Sequence, residues 1–444
     1  MEKITAPRWG GQLWRVMEMR RGDLLRRLET GQPDWLEPVY GPDAAAAAGR
    51  LRELMEEFAG VFPCGEDSDT WLFSAPGRTE LGGNHTDHQR GRCLAGSVDL
   101  DTIACVVPNG TRRIRIQSRH HRMAEVSLDD LSVHPEEAGS SVSLVRGVAA
   151  RLKALGYAAG GFDACTTTRV LRGSGLSSSA AFEVLVCTIM NHLFCGGALS
   201  PVQLAQVGQY AENVYFDKPC GLMDQLACAC GGVIAIDFGD PGAPALRQVR
   251  VDLAGKGYAL AIVDAGASHA DLTADYAAIP QEMGQVAAYF GQTVLSQVPY
   301  ERFLRELSEV RTACGDRAAL RALHFFRDDR RVAEQCEALE RGDFDAFLRL
   351  VRQSGQSSFM YLQNVAAFRN SREQPIAVLL ALAEELLEGE GACRVHGGGF
   401  AGTIQAFVPL DRLEHFTQGM EALAGKGACH ILSIRSAGSV LLVS

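Results

Sequence analysis

Gly173-Ser174-Gly175-Leu176-Ser177-Ser178-Ser179-Ala180-Ala181 is the stretch on which the reading of this 444-residue chain turns. Its glycines let the backbone approach an anion closely and its serines add hydroxyl donors. The helix expected to follow aims its first amides at the same point. Upstream, Gly161 to Leu171 reads as a strand. Downstream, Ala180 to Phe194 is apolar nearly all round, as in a buried helix. A solvated Gly/Ser linker would not be set tightly between a strand and a buried helix, so the run reads as a phosphate-binding turn. It is not a Walker A loop, which ends in Gly-Lys-Ser/Thr, and its spacing does not fit a dinucleotide fingerprint.

Working outward, ionisable groups gather in three further places. Arg78, in Ala75-Pro76-Gly77-Arg78, precedes Asn84-His85-Thr86-Asp87-His88 in a glycine-bearing loop that could hold a polyhydroxylated ligand. Asp87 there can accept two hydroxyl hydrogen bonds. Asp224 lies among apolar neighbours in Gly221-Leu222-Met223-Asp224-Gln225, so its carboxylate needs a partner, and a cation such as Arg78 would serve. Glu212 stands twelve residues earlier at the end of another predicted helix. Taken alone, each acid is more often a cap or a surface group than a functional one. A third glycine cluster, His396-Gly397-Gly398-Gly399-Phe400-Ala401-Gly402, is a tight turn or a close backbone approach, for which the phosphate loop is a candidate.

Length and composition bound the rest. The chain is too long for one ordinary core, which predicts two domains of roughly 200 residues each. A net charge of −10 argues against nucleic acid as the main partner, while ATP needs only a local electropositive pocket. The thirteen cysteines are odd in number and scattered. Several, such as Cys187, Cys195, Cys228 and Cys230, sit in apolar runs, which suits buried free thiols in a reducing compartment better than disulfides or a zinc site. No run reaches the ~18 apolar residues of a membrane span; the best, Ile376 to Ala383, stops at Glu384-Glu385. The start of the chain lacks a hydrophobic signal core, so the cytoplasm is the expected location. Helices are expected over Ala44 to Phe62, Val142 to Leu155 and much of 280–365. Strands are expected at Thr111 to Gln117, Val233 to Phe238 and Tyr258 to Val263, with a short strand at Trp71 running into a Gly/Pro-rich loop. The class is α+β. Arg20, Arg21, Arg26 and Arg27 read as a solvated helix face, and His120, His121 and His134 as surface residues.

Three motifs in this order resemble those of the GHMP kinase superfamily and, within it, of galactokinases: Ala75 to Arg78 with His85-Thr86-Asp87, Gly173 to Ala181, and Gly397 to Gly402. Gly221 to Gln225 also resembles the segment that carries the galactokinase catalytic aspartate. The resemblance spans roughly residues 45–444. It implies an N-terminal domain of the ribosomal-protein-S5 type over 46–230 and a ferredoxin-like C-terminal domain over 231–444. The active site would lie between them, with residues 1–45 a helical extension outside the resemblance. It implies ATP-dependent phosphorylation of a monosaccharide at its anomeric hydroxyl, D-galactose giving galactose 1-phosphate. Partners are then the sugar and ATP, with no nucleic acid and no membrane, in a monomer or weak homodimer. By position, Asp224 matches the base and Arg78 the residue that stabilises the transferring phosphoryl group. Gly173, Ser174, Gly175, Leu176, Ser177, Ser178 and Ser179 match the ATP loop, and Ser179 and Glu212 the Mg²⁺ ligands. Asn84, His85 and Asp87, with Tyr276, match the sugar contacts.

The sequence also departs from that pattern. The usual galactokinase segment reads Gly-Arg-Val-Asn-Leu-Ile-Gly-Glu-His-Thr-Asp-Tyr. Here Glu80 replaces the asparagine, Asn84 the sugar-contacting glutamate and His88 the tyrosine. The later Tyr-Asn-X-Arg-Arg segment is reduced to Tyr276 followed by Ala277-Ala278-Ile279-Pro280. Exchanging a carboxylate for Asn84 would repel an anionic sugar less. Two alternatives therefore stand beside galactokinase activity: a GHMP kinase for another sugar such as galacturonate, and a galactokinase-like sugar sensor without catalysis. Against the sensor, Arg78, Ser179, Ala180, Glu212 and Asp224 are all in place.

Overall fold

Strands β1 (Trp71–Gly82) and β2 (Arg92–Pro108) pair antiparallel along most of their length and form the spine of the larger of two sheets. The computed structural model describes residues 20–29, 34–171, 173, 175–240, 242–266, 272–367, 372–400 and 402–443. The other strands are β3 (Arg113–Ser118), β4 (Ala124–Ser127), β5 (Phe162–Thr168), β6 (Val233–Asp237), β7 (Ala245–Val249), β8 (Tyr258–Asp264), β9 (Ala392–His396), β10 (Thr403–Pro409), β11 (Cys429–Leu432) and β12 (Val440–Val443). The larger sheet runs β12-β1-β2-β5-β3-β4, with β6 joining the first half of β2 and β7 joining β6. Among the described residues, only β3 and β5 pair in parallel. The smaller sheet is antiparallel, β11-β8-β10-β9.

Alternation along the spine buries both faces of the larger sheet. Leu72, Ile103, Cys105 and Cys165 face one apolar cluster, while Phe73, Ala104, Val106 and Ala164 face another, as the two-residue period of a strand requires. The first face is covered by the helix Ala44–Val61, whose Leu51, Leu54, Met55 and Phe58 are almost fully buried; each contributes about 1.5–3 kcal/mol. The described part of 1–45 belongs to this layer. Leu24, Leu28, Leu36 and Val39 are buried there, the three leucines in the same cluster, and the Tyr40 hydroxyl donates to Asp101 Oδ2 at 2.8 Å. Of the arginines there, Arg20 and Arg26 are exposed and pair with Asp67 and Asp23, whereas Arg27 lies over the Trp35 ring. The second face is covered by the helices Ser141–Ala154, Ser178–Phe194 and Pro201–Val214.

One sequence expectation is corrected here. The Gly/Pro-rich stretch after Trp71 is not a loop: Pro76 and Gly77 lie inside the twelve-residue β1. The register against β2 shifts between Pro76 and Arg78 and again between Glu80 and Gly82. A bulge accommodates a residue without an N–H donor and re-aims the side chains that follow it. The boundary expected at 230/231 also runs through the larger sheet, because β6, β7 and β12 complete that sheet from the C-terminal side. Among the described residues, no helix is long and apolar enough to cross a membrane.

Candidate active site

The bulges in β1 aim Arg78 into a cleft bounded by the glycine loop, the helix Met223–Cys230 and the turn after β9. Its backbone N–H donates to Leu176 O at 3.1 Å. Its guanidinium donates to Gly175 O and makes two contacts with Asp224 Oδ1, from Nε at 2.7 Å and from Nη2 at 2.6 Å. Ser177 Oγ donates to the other carboxylate oxygen, Oδ2. Burial alone would raise the pKa of Asp224. The charge of Arg78, the hydrogen bonds from Ser177 and Arg78 and the charge of Lys218 outweigh it and hold the carboxyl below its ordinary value. Asp224 is therefore ionised at neutral pH, and its side chain keeps 30% exposure toward the cleft.

The glycine loop is built for this contact. Gly175 has φ +69° and a Cβ there would stand 2.8 Å from His396 Nδ1, so only glycine lets the turn after β9 close on it. Ser177, at φ 56°, is left-handed immediately before the helix Ser178–Phe194, a sparsely populated conformation held by its bond to Asp224. Leu176 is fully buried in the core, so it can offer a ligand only its backbone. Ser178 and Ser179 are partly exposed at the first turn of the helix. Ser174 lies outside the described residues. The glycine-rich turn 397–399 does approach the loop, with Gly397 packed near Gly175.

Beside this pair, Glu212 Oε1 accepts from Ser179 Oγ at 3.1 Å and from Lys218 Nζ at 2.8 Å. Its Oε2 accepts from Gln225 Nε2 at 2.8 Å, which also donates to Glu183 Oε2 at 3.2 Å. Burial, and then the nearby charge of Glu212, push Glu183 well above the usual carboxylate range. Ser179 and Glu212 offer hard oxygen donors side by side. Among the described residues no cluster of three or more acidic, His or Cys side chains converges. Two protein ligands suit Mg²⁺, which keeps several waters and binds with substrate phosphates rather than in an all-protein cage.

The segment 83–90 lies across the cleft. His85 has φ 61° and is buried, its ring 5.2 Å from Tyr276 and 5.8 Å from His88. Its Nε2 lies 3.3 Å from Gly398 O. A carbonyl only accepts, so Nε2 carries the hydrogen and Nδ1 is a bare acceptor, with no hydrogen-bond partner among the described residues. Burial, then the charge of His88, lower the His85 pKa to about 3. An unfolded imidazole titrates near 6.5, so the folded state binds fewer protons below that value. The contribution of neutral His85 to stability is intact above pH 6.5 and is lost progressively toward pH 3. In urea unfolding, His85→Asn should lose about 1–2 kcal/mol less than wild type between pH 7 and 5; equal losses would show that His85 does not set the acid slope. Asp87 packs against Gly221, where a Cβ would fall on Asp87 Oδ2, so the turn leading to Asp224 and the segment 83–90 meet at a glycine.

The resemblance places Asn84 on the sugar; in the structure its side chain is fully buried and its amide is taken up by protein. Nδ2 donates to Gly397 O at 2.8 Å and to Glu80 Oε1 at 3.1 Å, and Oδ1 accepts from Asn364 at 2.8 Å and Ser358 at 3.2 Å. Its backbone N–H donates to Asp328 Oδ2 at 2.9 Å and its carbonyl accepts from His324 at 3.0 Å. Glu80, also buried, pairs with the fully buried Arg394 of β9. Burial raises the Glu80 pKa, while the charges of Arg394 and Arg78 act to lower it. The carboxylate and the amide have thus changed places within one hydrogen-bonded pair, leaving its formal charge unaltered. Sequence patterning did not single out Lys218, Glu183 or Arg394. Glu183 carried a signal, because a carboxylate inside the apolar run 180–194 must find a partner.

Known proteins resemble this chain. Residues 143–232 match the GHMP kinases N terminal domain, and residues 56–108 the galactokinase galactose-binding signature. A galactokinase of Streptomyces coelicolor is 32% identical over 408 residues, a span covering 90% of this chain and 99% of the relative. The crystal structure of Lactococcus lactis galactokinase complexed with galactose has a TM-score of 0.75 at 23% identity, covering 88% of this chain and 99% of that one. Methanococcus jannaschii mevalonate kinase has a TM-score of 0.56 at 13% identity, covering 82% and 98%. The two structures share the GHMP kinase fold with this chain.

Proposed function

This chain belongs to the galactokinase family of GHMP kinases, and from that premise we propose that it transfers the γ-phosphoryl group of ATP to the anomeric hydroxyl of D-galactose, giving galactose 1-phosphate and ADP. The observation that carries the reading is the Arg78–Asp224–Ser177 cluster at the foot of the glycine loop. It sets an ionised carboxylate and a buried guanidinium where a sugar hydroxyl and a terminal phosphate would meet.

The sugar would bind across 85–88 and Tyr276. His85 Nδ1, an unpartnered acceptor, takes a hydroxyl hydrogen, and Asp87 accepts one or two more. The loop amides of 173–179 and the N-terminus of the helix Ser178–Phe194 hold the phosphates. Ser179 and Glu212 would hold Mg²⁺, which when bound neutralises charge on the phosphate oxygens. As the sugar oxygen bonds to phosphorus and the bond to ADP breaks, Asp224 takes the hydroxyl proton. With a lowered pKa Asp224 is a weak base, so its contribution rests on placement, as expected for a reaction dominated by positioning and charge stabilisation. Arg78 is held by Asp224 and by Gly175 O, and faces the charge that develops on the transferred group.

The proposed units are 46–249 with 440–443, organised by the larger sheet, and 250–439 around the smaller one. All thirteen cysteines are unpaired, which supports a reducing, cytoplasmic setting. The alternative sugars lose their main support, because Asn84 is sequestered from the cleft and the pair it forms with Glu80 retains its carboxylate. The test is ADP release with Mg-ATP against galactose, N-acetylgalactosamine, galacturonate, arabinose, fucose and glucose, with ³¹P NMR of the product. Release with galactose and a phosphate on C1 is expected. Turnover of another sugar in preference to galactose would overturn the assignment.

A further inference from the structure

Lys218 lies in the turn between the helices Pro201–Val214 and Met223–Cys230. Asp217 takes a left-handed φ of 63°, and the Lys218 N–H returns to Glu212 O at 3.2 Å. This bend brings Nζ to 2.8 Å from Glu212 Oε1, the oxygen that also accepts from Ser179 Oγ at 3.1 Å. The Glu212 side chain is 3% exposed and that of Lys218 is 55% exposed. A carboxylate so deeply buried requires a compensating cation. The other side chains bonded to it, Ser179 and Gln225, are neutral, and Lys218 is its one ion-pair partner among the described residues. The ammonium therefore sits on the Glu212 oxygen nearest Ser179, and these are the two residues to which the proposed function assigns Mg²⁺. Two cations on one oxygen repel each other, and the exposed, flexible lysine stem is the partner free to leave.

We propose that Lys218 is an exchangeable counter-ion of the nucleotide site. It holds Glu212 while the site is empty, yields Oε1 when the metal arrives, and follows the phosphate oxygens of the incoming nucleotide. It is a positioning residue, and the inference rests on the assignment of Ser179 and Glu212 to Mg²⁺. No bond is made or broken; one ion pair is exchanged for another. Two consequences follow from removing the charge. Metal no longer has an ammonium to displace, so less Mg²⁺ is needed to tighten nucleotide binding. Metal-free nucleotide then faces the acids of the cleft without Lys218 and binds more weakly.

The experiment is isothermal titration calorimetry of ADP at a series of free Mg²⁺ concentrations. The proteins are wild type, Lys218→Met, Lys218→Arg and Glu212→Gln, each checked for folding by circular dichroism. For Lys218→Met, the Mg²⁺ concentration giving half-maximal tightening should fall about three-fold or more, and metal-free ADP affinity should fall about ten-fold. Lys218→Arg should remain within about two-fold of wild type. A folded Lys218→Met with both quantities within about two-fold of wild type reduces Lys218 to a surface ion pair and overturns the proposal. Glu212→Gln separates the two layers. Unchanged Mg²⁺ dependence in that variant sinks the metal assignment itself, whereas lost dependence beside an unaltered Lys218→Met sinks the exchange alone.

Discussion

Asp224→Asn is expected to keep the fold and lose about 10²–10⁴-fold in kcat, with KM for sugar and ATP moving far less. The side chains are nearly isosteric, so the introduced amide can still accept from Arg78 and approach Ser177. What disappears is the negative charge to which the proposed mechanism gives the hydroxyl proton, and with it the partner charge of a nearly buried guanidinium. Because Arg78 and Ser177 hold Asp224 below its ordinary pKa, the sign of its pH dependence follows. The stability it contributes is complete above the unfolded carboxyl value and is lost only as pH falls through the lower folded value. Wild-type turnover should therefore show no loss from Asp224 at neutral pH and decline only in acid. Steady-state kinetics with galactose and ATP across pH, together with thermal unfolding of both proteins, measure this. Near-normal turnover in a folded Asn variant would remove Asp224 from the mechanism.

The second large effect concerns the exchanged pair. Asn84→Glu would set a new carboxylate within hydrogen-bond distance of Glu80, in a site where both residues are buried. Asn84 is also the hub that ties the segment 83–90 to Gly397, Ser358, Asn364, Asp328 and His324. Two buried carboxylates at that distance cannot both ionise, and the amide donors to Glu80 and Gly397 vanish. The single variant should lose about 3–5 kcal/mol of stability, in the range for breaking a buried, charge-bearing network. The double variant Glu80→Asn/Asn84→Glu returns the pair to one carboxylate and one amide, and should recover at least half of the loss. Urea denaturation of wild type, both singles and the double closes the cycle. Strict additivity would mean that the two positions do not act as a pair, and would sink the explanation offered for the departure from the family motif.

The parts of the structure legible in the sequence are those with a local cause. The helices Ala44–Val61, Ser141–Ala154 and Ser178–Phe194 and the strands β5, β6 and β8 lie within a few residues of where apolar periodicity and turn residues put them. The glycine loop was legible because glycine and serine between a strand and an apolar helix have few other uses. β1 was not: Pro76 and Gly77 signal a turn locally, and only long-range pairing with β2, with its bulges, overrides that preference. Within the site, the need of Asp224 for a cation could be read from its apolar neighbours, whereas Lys218 gives no periodic or compositional signal.

What the sequence by itself determined is the chemistry on offer: a glycine and serine loop suited to phosphate, an acid that needs an arginine, and ordered motifs that resemble one family of sugar kinases. What only the tertiary structure decided is which groups face the cleft. Asn84 and His85 are neighbours in the chain, yet one is enclosed by five side chains and a glycine carbonyl while the other presents an unpartnered nitrogen. That outcome depends on Arg394, Asn364 and His324, which lie hundreds of residues away along the chain. A buried polar group is satisfied by whatever the fold brings to it, and sequence spacing carries no record of partners that distant.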